Sequence, residues 1–390
     1  MPPVSLSEPF DDPRGELLET AAGTVVSSPE PEAPPHHFPL GWVLSKATAP
    51  VQYRAIHDVA KLIGVRDVTL RLPFSHYAGL RLSIEQKADG VWNGRMLSVP
   101  ASADGADGMI GTIPAVHRLL ELGYPSDLPS LAVARRPLFR LLAEDNDPAY
   151  LYELASEARG VEGRARGRMV LREASAAALA HLGYEQDPRL RGCANRMMQR
   201  VHDFLESPLA GDPWVRVGNK WALAAEASPP SVSFLVVLAY MPHYRHEHFA
   251  FLEKLREYLS RPVERAEPAV QVAGEIVAAP ELVLGDPLHG RELGERDLAM
   301  RLFWLEILAR LGWLDRHEHW RQQFERLTDN CDRDRVWRPG RGRGAELPTI
   351  APAWAAWCLD GRADGDALAA EVTTRLGIIA RVAGREVVLA

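Results

Sequence analysis

Residues 115–144 read AVHRLLELG, then YPSD, then LPSLAVARRPLFRLLAE. Ile113, Val116, Leu119, Leu120 and Leu122 fall at helical spacing. Gly123 then supplies the positive φ that a helix end often needs, at little cost to glycine. Asp127 suits the cap of a following helix and Pro129 its first turn. Leu131, Val133, Leu138, Phe139 and Leu142 give that second helix a broad apolar face, and Pro137 predicts a kink or a later start. The stretch predicts a helical hairpin pivoting on Leu122-Gly123-Tyr124.

The pivot recurs as Leu182-Gly183-Tyr184 and Leu311-Gly312-Trp313. Gly64 after Lys-Leu-Ile and Gly361 after Cys-Leu-Asp extend the series. A further copy lacks the glycine: Arg245-His246-Glu247-His248 matches Arg316-His317-Glu318-His319, which sets Met241 opposite Gly312. The intervals are 59, 60, 58, 71 and 49 residues. Six helical hairpins at near-regular spacing predict a repeat architecture, either stacked into an open solenoid or closed into a ring. The helices leading into the pivots, at 109–122, 174–182, 231–240, 297–311 and 350–359, are the more uniformly apolar ones, as an inner, doubly buried layer requires.

The 390 residues are 46% hydrophobic and 25% charged, enough for a large core. A net charge of −7 argues against a global attraction to nucleic acid. Three cysteines without close spacing exclude a disulfide framework and a zinc knuckle, and point to a reducing, cytoplasmic setting. The longest apolar run, Val232–Met241, is half of what a membrane span needs, and no secretory leader is expected. Residues 1–38, rich in Pro, Glu, Ser and Gly, read as an acidic arm too poor in large apolar side chains to fold. Residues 39–390 then form one domain. Within it, AVQVAGEIVAAPELVL in the 262–296 segment is a short strand pair or an extra helix, and the terminal REVVLA suits a short strand.

Gln86, Gly90 and Trp92 are spaced Gln-x3-Gly-x-Trp. This spacing resembles the glutamine–tryptophan repeat of squalene and oxidosqualene cyclases. Those enzymes, like the protein prenyltransferases, build rings of paired helices. Asp334-Arg335-Val336-Trp337 parallels Asp89-Gly90-Val91-Trp92, with Cys331 in the place of the Gln, and Asp212-Pro213-Trp214 is a fainter copy. The resemblance implies an all-α fold, an α/α toroid of about six hairpins. It also implies a central cavity for an apolar, isoprenoid-type substrate, with the Gln and Trp in a structural role.

The cyclases protonate their substrate with an Asp-x-Asp-Asp motif, which is absent here. Asp145-Asn146-Asp147 and Asp332-Arg333-Asp334 come nearest, on the turn side where aspartates cap or solvate. Asp107 and Asp297 precede inner helices and are the candidate general acids, since a carboxyl in an apolar cavity holds its proton. The commoner explanation of each is an acid at a helix N-terminus, favoured by the macrodipole. Phe303, Trp304, Trp354 and Trp357 are the candidate cavity lining, offering π faces to a carbocation, or else ordinary core.

The two Arg-His-Glu-His stretches are not metal sites, because residues two apart on a helix diverge. No metal or cofactor is therefore expected. Arg333, Arg335, Arg338, Arg341 and Arg343 form a basic loop that could clamp a diphosphate, though a solvated loop explains it as well. The expected function is a terpene-cyclase-like protein with an apolar small-molecule substrate. The alternatives are a non-catalytic toroid that binds a protein partner as a scaffold, and a carbohydrate-active barrel with two carboxylates facing one cleft.

Overall fold

The glycine pivots are built alike. At Gly123 the glycine amide donates to the Leu120 carbonyl and the Tyr124 amide to that of Leu119. The same pair of bonds recurs at Gly183 with Tyr184 and at Gly312 with Trp313. All three glycines have left-handed φ, +87°, +88° and +72°. This double bond satisfies two carbonyls that a helix end otherwise leaves open. A fourth such end, not foreseen, is Gly384 (φ +83°), where the Arg385 amide reaches the Ala380 carbonyl.

The computed structural model describes residues 34–97, 110–143, 149–154, 160–263, 267–289, 297–338 and 365–390. The chain opens with β1 (His36–Phe38), α1 (Leu40–Lys46) and α2 (Ala49–Arg54), which runs on as a π-helical turn over Ala55–Ala60. That turn ends at Lys61 in left-handed geometry (φ 53°). The first break therefore falls at Lys61, not at Gly64, which sits in the short turn Ile63–Val65. After α3 (Arg66–Thr69) and α4 (Tyr77–Ile84) come the hairpins α5 (Thr112–Glu121) with α6 (Pro129–Ala143), and α7 (Gly160–His181) with α8 (Pro188–Glu206). Then follow α9 (Val232–Tyr240) with α10 (Pro242–Glu247) and α11 (Phe249–Leu259), and α12 (Leu298–Arg310) with α13 (Glu318–Asp329). The last helix is α14 (Gly365–Val382).

The chain is mostly helical but not all-α, which corrects the sequence expectation. Trp214–Val217 (β2) and Lys220–Leu223 (β3) form an antiparallel hairpin, as do Ala269–Val272 (β4) and Glu275–Ala278 (β5), and a parallel β3–β4 contact joins them into a four-stranded sheet. The strand-pair option for the AVQVAGEIVA segment is the one adopted. The faint Asp212-Pro213-Trp214 copy leads into β2 rather than into a capping turn. β6 (Val387–Leu389) pairs in parallel with β1, His36 opposite Val387. The strand β1 thus lies ahead of residue 39, where the sequence reading starts the domain.

In the core, α5 packs on α7, α7 on α9, α9 on α12, and α12 on α14, while α14 also packs on α1, α2 and the π-turn. Every residue of α14 from Leu368 to Ala380 is buried. Gly377 makes the close approach possible: a Cβ there would stand 2.8 Å from Val59 Cγ1 and 3.0 Å from the Phe38 ring. The expected inner segment at 350–359 lies outside the described residues, as does Gly361; α14 is the described helix that packs on both α12 and α2.

The Gln-x3-Gly-x-Trp motif ties hairpins together. Gln86 Nε2 donates to the Gly90 carbonyl (3.0 Å) and to that of Ser130 at the start of α6 (2.8 Å). Buried Trp92 donates from Nε1 to the Leu82 carbonyl near the end of α4 (2.7 Å). Its amide donates to Thr112 Oγ1 on α5 (3.2 Å). The second copy repeats the geometry. Lys87 and Val91 are joined by a backbone bond as Asp332 and Val336 are, Gly90 bonds Lys87 as Arg335 bonds Asp332, and the Trp337 amide donates to Thr373 Oγ1 on α14 (3.0 Å). Asp332 accepts from the amides of Asp334 and Val336, so it caps the turn. Between Leu62 and Ile84 the short helices leave large apolar side chains in water, among them Ile63 (86% exposed), Val68 (78%) and Ile84 (73%).

Candidate functional site: an ion network where the core helices end

Four core helices each place their last residue in one buried cluster, Glu121 of α5, His181 of α7, Tyr240 of α9 and Arg310 of α12, and Arg54 joins them from where α2 passes into its π-helical turn. One turn earlier, α5 adds His117 and α12 adds Glu306; α14 adds Arg375. The Glu121 carboxylate is the hub. Its Oε2 accepts from Arg54 Nη1 (3.0 Å) and from Arg375 Nη2 (2.6 Å). Arg375 Nη1 reaches Glu306 Oε2 (2.9 Å), and Arg310 closes on Glu306 Oε1 from Nη2 (2.7 Å) and Nε (3.0 Å). Arg54 also pairs with Asp58.

A helix C-terminus carries partial negative charge and open carbonyls, so it suits arginine and disfavours glutamate. Arg54 Nη1 meets both demands, donating to the Glu121 carbonyl (2.7 Å) as well as to its carboxylate. Arg245 of α10 likewise donates to the Arg310 carbonyl. Three guanidinium groups face three carboxylates (Asp58, Glu121, Glu306), so the network is electrically balanced. Balance is what lets charges sit in a core at all, because an unpaired one would carry its full desolvation cost.

The protonation states follow from this packing. Burial alone would raise the Glu121 carboxyl, but Arg375, Arg54 and Arg310 outweigh it and pull the group down to about 2. Glu306 is likewise lowered: burial works against ionisation, and Arg310 and Arg375 override it. Burial holds His117 down to about 4 and His181 well below its ordinary value. Burial also raises the Tyr240 phenol. At neutral pH both histidines are uncharged. His181 Nε2 stands 3.6 Å from Glu121 Oε1, and His117 Nδ1 lies 3.0 Å from His181 Nδ1. Of the two facing Nδ1 atoms one donates and the other accepts, so the two imidazoles hold different tautomers. Arg310 stacks over the Tyr240 ring at 4.5 Å, and the His181 and Tyr240 ring centroids lie 4.2 Å apart.

This set can hold charge and geometry, but it holds no proton to give. Glu121 and Glu306 are held ionised, its phenol is made a weaker acid, and its imidazoles are neutral. Sequence reasoning missed it, although three pivots read Glu-Leu-Gly, His-Leu-Gly and Arg-Leu-Gly, a polar residue each time just before the break.

The expected site residues fall elsewhere. Asp107, Trp354 and Trp357 lie outside the described residues. Asp297 is half-buried ahead of α12, caps no backbone amide with its side chain, and has Arg301 within reach of its charge. Phe303 and Trp304 are packed into the core, 4% and 1% exposed. The Trp304 indole N–H is buried with no hydrogen-bond partner among the described residues. Of the arginine loop, Arg338 pairs with Asp332 and Asp366 and covers the Trp42 ring. No group of three His, Cys, Asp or Glu among the described residues could hold a metal ion, and no described helix is long and apolar enough to cross a membrane. No protein-family model, curated protein or solved structure matches the chain.

Proposed function

We propose that the chain is an α/α toroid that works as a binding or scaffold protein and not as an acid-initiated cyclase. In this reading α2 with its π-turn, α5, α7, α9, α12 and α14 form the inner ring. The outer layer is α4, α6, α8, α10–α11 and α13. The observation that carries the reading is the network around Glu121. It fills the meeting point of the inner helices with paired charges, where a cyclase needs an open apolar chamber and a protonated carboxyl. The thiols of Cys193 and Cys331, unpaired among the described residues, fit a reducing setting.

The test is to incubate the intact protein with a panel of linear isoprenoids and their diphosphates and to analyse products by mass spectrometry. Recovery of unchanged substrate is the expected result; a cyclised product overturns the reading. A second reading, in which the ring holds an apolar isoprenoid-type ligand, draws on the Phe303–Trp304 pair and its unmet indole N–H. Quenching of tryptophan fluorescence by a non-reacting isoprenoid, lost in Trp304→Phe, would favour it. A glycosidase pair is not favoured, because Glu121 and Glu306 share Arg375 instead of facing a cleft.

A further inference from the structure

Where the ends of the described body meet, a cavity of about 380 Å³ opens beside α13. Its lining includes His36 of β1, Phe324, Glu325 and Asp329 of α13, Arg335 of the second Trp turn, and Arg385. Two of these residues are anomalous. Arg335 holds a left-handed φ of 62°. The first copy of this turn, matched bond for bond, gives that position to Gly90 at +89°. An arginine there is strained, and a strained residue persists where its side chain is wanted. His36 Nε2 is buried without a hydrogen-bond partner among the described residues.

Of the charges around the cavity, Arg385 and Glu325 are paired elsewhere and two are not. Among the described residues neither Arg335 nor Asp329 forms an ion pair, whereas Arg385 is held by Asp315 (3.2 Å) and covers the Phe324 ring. Glu325 stands one turn before Asp329 on the same helix face, 3.8 Å from Arg321. A simple anion would meet Glu325 and Asp329; a simple cation would meet Arg335 and Arg385. A ligand carrying both charges meets neither objection.

We propose that this cavity binds a small zwitterion of the α-amino-acid type, its carboxylate on Arg335 and its ammonium on Asp329. His36 Nε2 supplies a further polar contact, and the Phe324 and Thr328 side chains bound the rest of the ligand. The site is independent of the network around Glu121 and of the reading given above.

The experiment uses the full chain in thermal-shift and calorimetric titrations with the twenty L-amino acids, with acetate and methylamine as single-charge controls. At least one amino acid is expected to raise the melting midpoint saturably, by a few degrees, and neither control is. Arg335→Gly relieves the backbone strain, so it should keep or raise the ligand-free midpoint while abolishing the shift; Asp329→Asn should abolish it too. No shift with any amino acid, an equal shift with acetate or methylamine, or an undiminished response in Arg335→Gly would overturn the proposal.

Discussion

Arg375 Nη2 donates to Glu121 Oε2 at 2.6 Å, joining two residues 254 positions apart in the chain. Neither side chain is more than 5% exposed. Removing one partner leaves the buried network one charge out of balance, a costly kind of defect.

Glu121→Gln therefore destabilises the protein by about 3–5 kcal/mol, since Arg54 and Arg375 share its charge and are left with only Asp58 and Glu306, the second of which Arg310 also uses. Urea denaturation followed by circular dichroism measures this directly. A change below about 1 kcal/mol would show that the network is not the closed, dry cluster described.

Acid should weaken the fold in two steps. His117 titrates near 4 when folded against 6.5 ordinarily, so between those values the unfolded chain binds more protons. Its contribution is complete above pH 6.5 and drains as pH falls to 4. Glu121, near 2 when folded against 4.5, follows the same sign between pH 4.5 and 2. Each group costs about 1.4 kcal/mol per pH unit inside its window. Denaturation midpoints at pH 7.5, 5.5 and 4 test this, and His117→Phe should flatten the upper step. Equal midpoints at pH 7.5 and 4 would contradict the neutral, buried histidines.

Two pivot glycines should respond differently to one change. Gly183→Ala meets nothing within 4 Å, so only the left-handed backbone (φ +88°) resists it, at about 1–2 kcal/mol. In Gly123→Ala the new Cβ would also stand 2.3 Å from Tyr53 Cδ1. Overpacking should bring that variant to roughly twice the cost of the first or more. Thermal unfolding of the two variants side by side decides it; equal losses would be unexpected.

Thr112→Val and Thr373→Val each leave a buried Trp amide, that of Trp92 or Trp337, without its acceptor. Each should cost about 1–3 kcal/mol. Similar values would express in energy the equivalence of the two turns; loss at only one site would break it.

On the outer layer, serine at Ile63, Val68 and Ile84 together should move stability by no more than about 0.5 kcal/mol per site, because these side chains already stand in water. The same variant should stay monodisperse at higher concentration, by light scattering. A marked fall in melting temperature would mean that the three are packed.

The helix–glycine–aromatic punctuation was legible at Gly123, Gly183 and Gly312, because positive φ and a following ring packed on the core, fully buried at Tyr124 and Trp313 and half-buried at Tyr184, leave a direct mark on residue choice. It misled at Gly64, since Lys61 takes the left-handed position without glycine, and the end at Gly384 went unseen because Arg385 stands where the other breaks place an aromatic ring. Strand β6 could be read from Val387-Val388-Leu389, whereas β2 and β3 were passed over in a segment read for its tryptophan. The network was illegible for a physical reason: Glu121, Glu306, Arg310 and Arg375 look like a solvated face until they meet from different helices. Apolar periodicity cannot report on such meetings.

The long reach of Glu121 has a consequence for how the molecule comes apart. An open stack of repeats can fray from either end, each unit parting from its neighbour alone. Here, detaching α14 would take Arg375 from both Glu121 and Glu306, and detaching α2 would take Arg54 from Glu121, so either loss unbalances the same buried cluster. The protein should unfold as one cooperative unit, and no subset of its hairpins should persist as a stable fragment.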